Sequence, residues 1–228
     1  MTTAPIADRL AALRQRLAAA ALLSGRSPDA VTLCAVSKTF PPDAIAAAIA
    51  AGQTVFGESR VQEALTKIPL FPTSLHWHFI GHLQSNKIRK ILPLTHLFHT
   101  LDSLDLARHF SRIASELNLT ARCLLQVNIA RDDAKFGLDP DITDHTLTEI
   151  LALPNLSVAG LMTIPALTDS ADAARPHFAR LRELRDRLAA ASGLPLPELS
   201  MGMSGDWEAA VAEGATIVRI GSAIFGDR

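Results

Sequence analysis

Lys38 stands next to last in LCAVSKT at 33–39, an apolar run with the character of a buried strand. Burying an unpartnered ammonium costs several kcal/mol, so the residue needs a use. A structural salt bridge is one. The other is covalent: a desolvated amine beside another cation has a lowered pKa and attacks carbonyl carbons to form a Schiff base. Two further stretches could hold an anion. SMGMSGD at 200–206 and RIGSAIFG at 219–226 place Gly and Ser where backbone N–H groups can approach a ligand closely, and Ser204-Gly205-Asp206 opens a helix at its positive end. Each stretch alone reads as a turn; together they outline a phosphate cup. Arg219 interrupts an apolar run, so its guanidinium needs a dedicated partner, with the carboxylate of Glu58 as the ordinary choice.

Other constellations carry less. His76-Trp77-His78 puts two imidazoles on one face of a strand, the beginning of a metal site. No histidine or terminal carboxylate at the later strands completes it, so no metal is expected and the pair reads as packing. There is no GxSxG elbow, and Cys34 and Cys123 lie in apolar runs without CxxC spacing, as inert buried thiols. Asp132 and Asp133 read as a solvated loop with Lys135, and NKIRK at 86–90 as a solvated helix face.

The elements that must position these groups follow from the pattern. Of the 228 residues, 48% are hydrophobic and 20% charged, the balance of an ordinary globular protein. A net charge of −1 provides no basic surface for nucleic acid. The N-terminus carries Asp8, Arg9, Arg14 and Arg16 where a signal peptide needs its apolar core, and no apolar run approaches the ~20 residues of a membrane span. A cytoplasmic protein is expected. Ile6, Leu10, Leu13, Leu17 and Ala21 form one stripe of an amphipathic helix over about 4–23.

From Thr32, eight strand-like runs alternate with helical segments: 32–38, 54–58, 77–81, 97–102, 121–129, 156–164, 198–202 and 216–226. Pro41, Pro42 and Asp43 start a helix that Gly52 stops; Ser103 caps another, and Asp206 caps one that Gly214 closes. Eight strands with seven or eight helices and no linker predict an α/β fold, a single-domain (β/α)8 TIM barrel over 1–228 with an extra N-terminal helix. An open doubly wound sheet is the alternative. In a barrel, function sits at the C-terminal strand ends, and closure sets strand eight beside strand one, bringing Lys38 near the cup. An aldehyde and a phosphate on one ligand point to pyridoxal 5′-phosphate, although a phosphosugar aldolase would use the same two elements. With that cofactor, Arg219 has a second possible partner, the pyridine nitrogen, which a permanent cation keeps unprotonated, making the ring a weaker electron sink.

AVSKT at 35–39, FGE and VQE within 56–63, HFIGHLQSNK at 78–87, GLMTIP at 160–165 and the run 200–226 resemble the pyridoxal phosphate homeostasis proteins. The resemblance spans nearly the whole chain. It implies a barrel similar to the N-terminal half of bacterial alanine racemases, with Lys38 carrying the cofactor as an internal aldimine. It further implies phosphate contacts from Ser204, Gly221 and Ser222, with Met203 at the cofactor wall and Arg219 near the pyridine nitrogen. The family usually has Asn where Ser59 stands; serine reaches less far and offers one donor in place of two. The family is associated with binding and buffering the cofactor and with vitamin B6 balance, without catalytic turnover, so no catalytic residue is expected. PLP-dependent apoenzymes are the implied partners of a monomer.

The competing enzymatic reading is a weak amino-acid racemase. It needs a second base opposite the lysine, a tyrosine from a further C-terminal domain in racemases of the resembled fold. The chain has no tyrosine and stops at Arg228, leaving His78 or His82 as the candidates.

Overall fold

A computed structural model describes residues 4–132, 134–165 and 171–226, with the backbone alone at 171 and 172. Asp133 and Arg228 lie outside these residues. Eight parallel strands close in sequence order, β1 (Thr32–Val36), β2 (Val55–Glu58), β3 (His76–Phe79), β4 (Leu97–Leu101), β5 (Ala121–Gln126), β6 (Leu156–Met162), β7 (Glu198–Ser200) and β8 (Ile217–Ile220), with β8 paired to β1. The open doubly wound sheet is thereby excluded. Nine α-helices occur among the described residues: α1 (Ile6–Leu23), α2 (Pro42–Ala50), α3 (Val61–Lys67), α4 (Ile88–Ile91), α5 (Leu104–Glu116), α6 (Thr143–Leu151), α7 (Ala171–Ser192), α8 (Trp207–Ala212) and α9 (Ser222–Phe225).

Alternation along each strand divides the core in two. Leu33 and Ala35 join the layer shared with the helices, whereas Cys34 joins a smaller cluster with Leu97, Leu124, Ala159, Met162 and Ile217. That cluster, drawn entirely from strands, fills the barrel interior. By the same alternation Val218 and Ile220 face the helices, which turns Arg219 inward beside Ile217. The predicted stripe of α1 is buried at Leu10, Leu13, Leu17 and Ala21. Arg14 on α1 donates to Ala51 O at 2.7 Å, and Arg26 just beyond it to Ala215 O at 2.7 Å, tying the helix to the loops that enter β2 and β8.

Several boundaries differ from the sequence reading. β1 stops at Val36, so Ser37 and Lys38 belong to a turn, and β8 stops at Ile220, with Ser222–Phe225 forming a helical turn. A short apolar run has the same pattern in a strand and in a buried helical turn. Beyond the N-terminal α1, the described residues form eight helices, two of them, α4 and α9, single turns. Ser103 caps α5 as predicted, accepting from Leu106 N at 3.2 Å. Asp206 stands at the N-cap of α8, but its carboxylate turns back to accept from Met203 N at 2.6 Å.

Candidate functional site at the barrel mouth

One cavity of about 460 Å³ lies at the C-terminal ends of β1, β2 and β8, and all seven residues singled out in the sequence line it. Lys38 comes from the turn after β1, Ser59 from the end of β2, Met203 and Ser204 from the loop after β7, Arg219 from β8, and Gly221 and Ser222 from the start of α9.

The turn carrying Lys38 is held on both sides. Ser37 donates its hydroxyl to Glu58 Oε1 at 2.8 Å, and its carbonyl accepts from Lys67 Nζ at 3.0 Å. Thr39 adopts φ 69°, a left-handed conformation that a β-branched residue avoids, and its N–H donates to Glu63 Oε2 at 2.7 Å. Such strain costs about 1–3 kcal/mol and persists only where surrounding contacts over-determine it. Burial pushes the Glu58 carboxyl above its ordinary value, with Ser37 and Lys67 opposing. For Glu63, burial also pulls upward, but the bonds from Lys67 and Thr39 outweigh it and the carboxyl ends below the usual range.

The cup is built from two small-residue turns. Ser204 and Ser222 bring their hydroxyls to 3.2 Å of each other. A side chain at Gly221 would put its Cβ 3.3 Å from Val36 O, so the backbone there runs tight against β1. Asp206 fixes the other turn: its carboxylate holds Met203 N while Met203 O accepts from Asp206 N at 3.1 Å and Trp207 N at 3.0 Å.

Arg219 is 4% exposed, and burial lowers its pKa to about 10. The expected partner Glu58 is engaged with Ser37 and Lys67 instead. Arg219 Nη1 donates to Ser200 Oγ at 2.6 Å and Nη2 to Thr163 O at 2.9 Å; both acceptors are neutral. A guanidinium only donates, so Ser200 turns its own proton to His99 Nδ1 at 2.8 Å, and His99 Nε2–H donates to His78 Nδ1 at 3.1 Å. The arginine thus sets the direction of a hydrogen-bond chain across the barrel interior. Burial drives the His78 pKa down to about 3 and that of His99 well below its ordinary value.

The sequence profile of the family described as alanine racemase, N-terminal domain matches residues 9–228. The chain is 41% identical over 222 residues to the pyridoxal phosphate homeostasis protein of Aquifex aeolicus, covering 97% of each. The chain belongs to the pyridoxal phosphate homeostasis protein family. Among solved structures, PipY of Synechococcus elongatus PCC7942 with PLP bound superposes with a TM-score of 0.87 at 42% identity, over 97% of this chain and 100% of that one. Alanine racemase from Corynebacterium glutamicum shares the fold at 17% identity and a TM-score of 0.71, over 94% of this chain and 60% of the racemase.

Within this homeostasis-family barrel the histidines are dispersed. His78 is locked in the interior chain, and His76 stacks on His96 with centroids 4.6 Å apart. His82 pairs with Asp102 at 3.2 Å and stacks on Phe136, without lining the cavity. Among the described residues no group of three metal-ligating side chains forms. Both cysteines are buried, with the Cys34 thiol pushed up to about 12 by burial. Reading the sequence alone missed Lys67, Glu63, Ser200 and His99. Lys67 and Glu63, four residues apart, look like an ordinary helix-surface pair; His99 in LFHTLD offered only a polar residue inside an apolar run.

Ser59 owes its place to Gly81. A Cβ at residue 81 would fall 2.1 Å from Ser59 O, so Gly81→Ala must push the cavity wall aside. The variant is expected to lose about 1–3 kcal/mol of stability, measured by urea unfolding; an unchanged midpoint would contradict this close packing.

Proposed function

We propose that this chain binds pyridoxal 5′-phosphate as a Schiff base on Lys38 and acts as a carrier that buffers the cofactor without turning over a substrate. The observation that carries the reading is the convergence of an amine, a hydroxyl-and-glycine cup and a buried cation on one cavity. Its volume of about 460 Å³ suits a small phosphorylated ring. Ser204, Gly221 and Ser222 would take the phosphate, Met203 and Ser59 would flank the ring, and Arg219 would face its nitrogen. When bound, the cofactor would supply an electrophilic aldehyde carbon, and Lys38 would present its amine to it. The Arg219 cation would hold the ring nitrogen unprotonated, which would weaken the ring as an electron sink.

The cavity's other contents support a carrier over a racemase. Among the described residues lining it, Lys38 and Arg219 are the ionisable side chains, and no carboxylate or imidazole stands opposite the lysine as a second base. The proposed functional unit is a monomer. PLP-dependent apoenzymes in the cytoplasm would be the recipients. Among the described residues no helix is long and apolar enough to cross a membrane.

Borohydride reduction of the purified protein, followed by peptide mapping, is expected to find the reduced adduct on Lys38, and Lys38→Ala to lack the visible absorbance. D-isomer formation from L-alanine or L-serine should stay at background. An adduct on another lysine, or on none, would end this reading.

A further inference from the structure

We propose that Lys67 is a positioning residue for Lys38, holding the turn from which the reactive amine enters the cavity; this rests on the Schiff-base reading above. Lys67 lies at the C-terminal end of α3, is 7% exposed, and does not line the Lys38 cavity. An ammonium has three protons, and each finds one acceptor: Ser37 O at 3.0 Å, Glu58 Oε1 at 3.1 Å and Glu63 Oε2 at 2.9 Å. Those acceptors are the groups that grip the two neighbours of Lys38. Glu58 Oε1 also takes the Ser37 hydroxyl, and Glu63 Oε2 also takes the Thr39 N–H. Ser37 is further tied to β2 through its N–H to Gly57 O at 3.0 Å, and Phe40 N closes the turn onto Ser37 O at 3.1 Å.

The consequence is a lysine set between two immobilised residues, one of them in a conformation its type disfavours. Glu58 Oε2 is buried with no hydrogen-bond partner among the described residues, so Lys67 is the cation on which that carboxylate depends. Removing the ammonium leaves the Ser37 carbonyl with Phe40 N–H as its remaining donor, loosens Glu63 from Thr39 and leaves Glu58 to take up a proton. Lys38 then leaves from a turn with several conformations. Phosphate recognition, built from residues after β7 and β8, is untouched.

The two functions separate experimentally. The full chain, freed of cofactor, is titrated with pyridoxal 5′-phosphate, which can form the Schiff base, and with pyridoxine 5′-phosphate, whose alcohol cannot. Lys67→Met and Glu63→Ala are expected to weaken the aldehyde at least ~10-fold, as misplacement of a reacting group does. Affinity for the alcohol should stay within about two-fold. Glu63→Gln, which keeps an acceptor for Thr39 N–H, should recover most of the loss. Glu63 is partly exposed, so its variants fold even where Lys67→Met does not. Equal weakening of both ligands, or no weakening of the aldehyde in either variant, would overturn the positioning role. Wild-type protein that forms no adduct on Lys38 would instead overturn the reading beneath it.

Discussion

Between pH 7 and pH 4 the protein is expected to lose about 3 kcal/mol of folding free energy through His78 alone. The folded His78 pKa of about 3 lies far below the value near 6.5 of an unfolded histidine. Below pH 6.5 the unfolded chain therefore binds a proton that the folded barrel refuses, and stability falls by up to about 1.4 kcal/mol per pH unit until the folded pKa is reached. His99, buried beside it and also depressed, adds loss in the same direction. Against a total of about 5–15 kcal/mol for a typical domain, this is a large share. Urea unfolding at pH 7, 6 and 5 isolates the effect, because most carboxylates stay ionised there. In the His78→Gln/His99→Gln variant the slope over that window should flatten markedly. A double variant as acid-sensitive as wild type would show that the imidazole pair is not the source.

Arg219→Ala is the second change with a large expected effect, on the bound cofactor. The guanidinium has no carboxylate within ion-pair distance among the described residues, its two acceptors are neutral and Asp206 acts on it only from further off, so most of its charge is left to act on whatever occupies the cavity. In the proposed pose, deleting a unit charge facing the ring nitrogen should raise that nitrogen's pKa by about 1–3 units. The variant's visible spectrum should accordingly depend on pH near neutrality, where the wild type's does not, and the cofactor should be held more weakly. A second signature lies inside the barrel. Because Arg219 helps hold the His99 pKa down, its removal should let His99 protonate more readily. The acid-dependent loss of stability between pH 7 and pH 5 should become shallower. A spectrum identical to wild type at every pH would remove Arg219 from the ring-nitrogen role.

The two histidines also show how a buried polar network constrains chemistry. His78 was a candidate second base for racemisation. In the fold it accepts from His99 within the barrel and lies outside the cavity lining. His82 reaches solvent, but it is paired with Asp102 outside the cavity lining.

From residue order alone came the barrel, the N-terminal helix, Lys38, Arg219 and the glycine-serine turns that hold Ser204, Gly221 and Ser222, whereas Met203 and Ser59 came through the family resemblance. Those features are local: strand and helix periods, glycine and serine at turns, and a lone cation in an apolar run each leave a mark within a few positions. Where β1 and β8 end could not be read, since an apolar run looks alike in a strand and in the helical turn Ser222–Phe225. Partnerships across the barrel were equally invisible. Arg219 chose Ser200 and Thr163 over Glu58, and Glu58 chose Lys67, because closure and the inward or outward turn of each strand decide which distant groups meet. A buried charge announces in the sequence that it needs a partner; only the packed tertiary structure determines which one it gets.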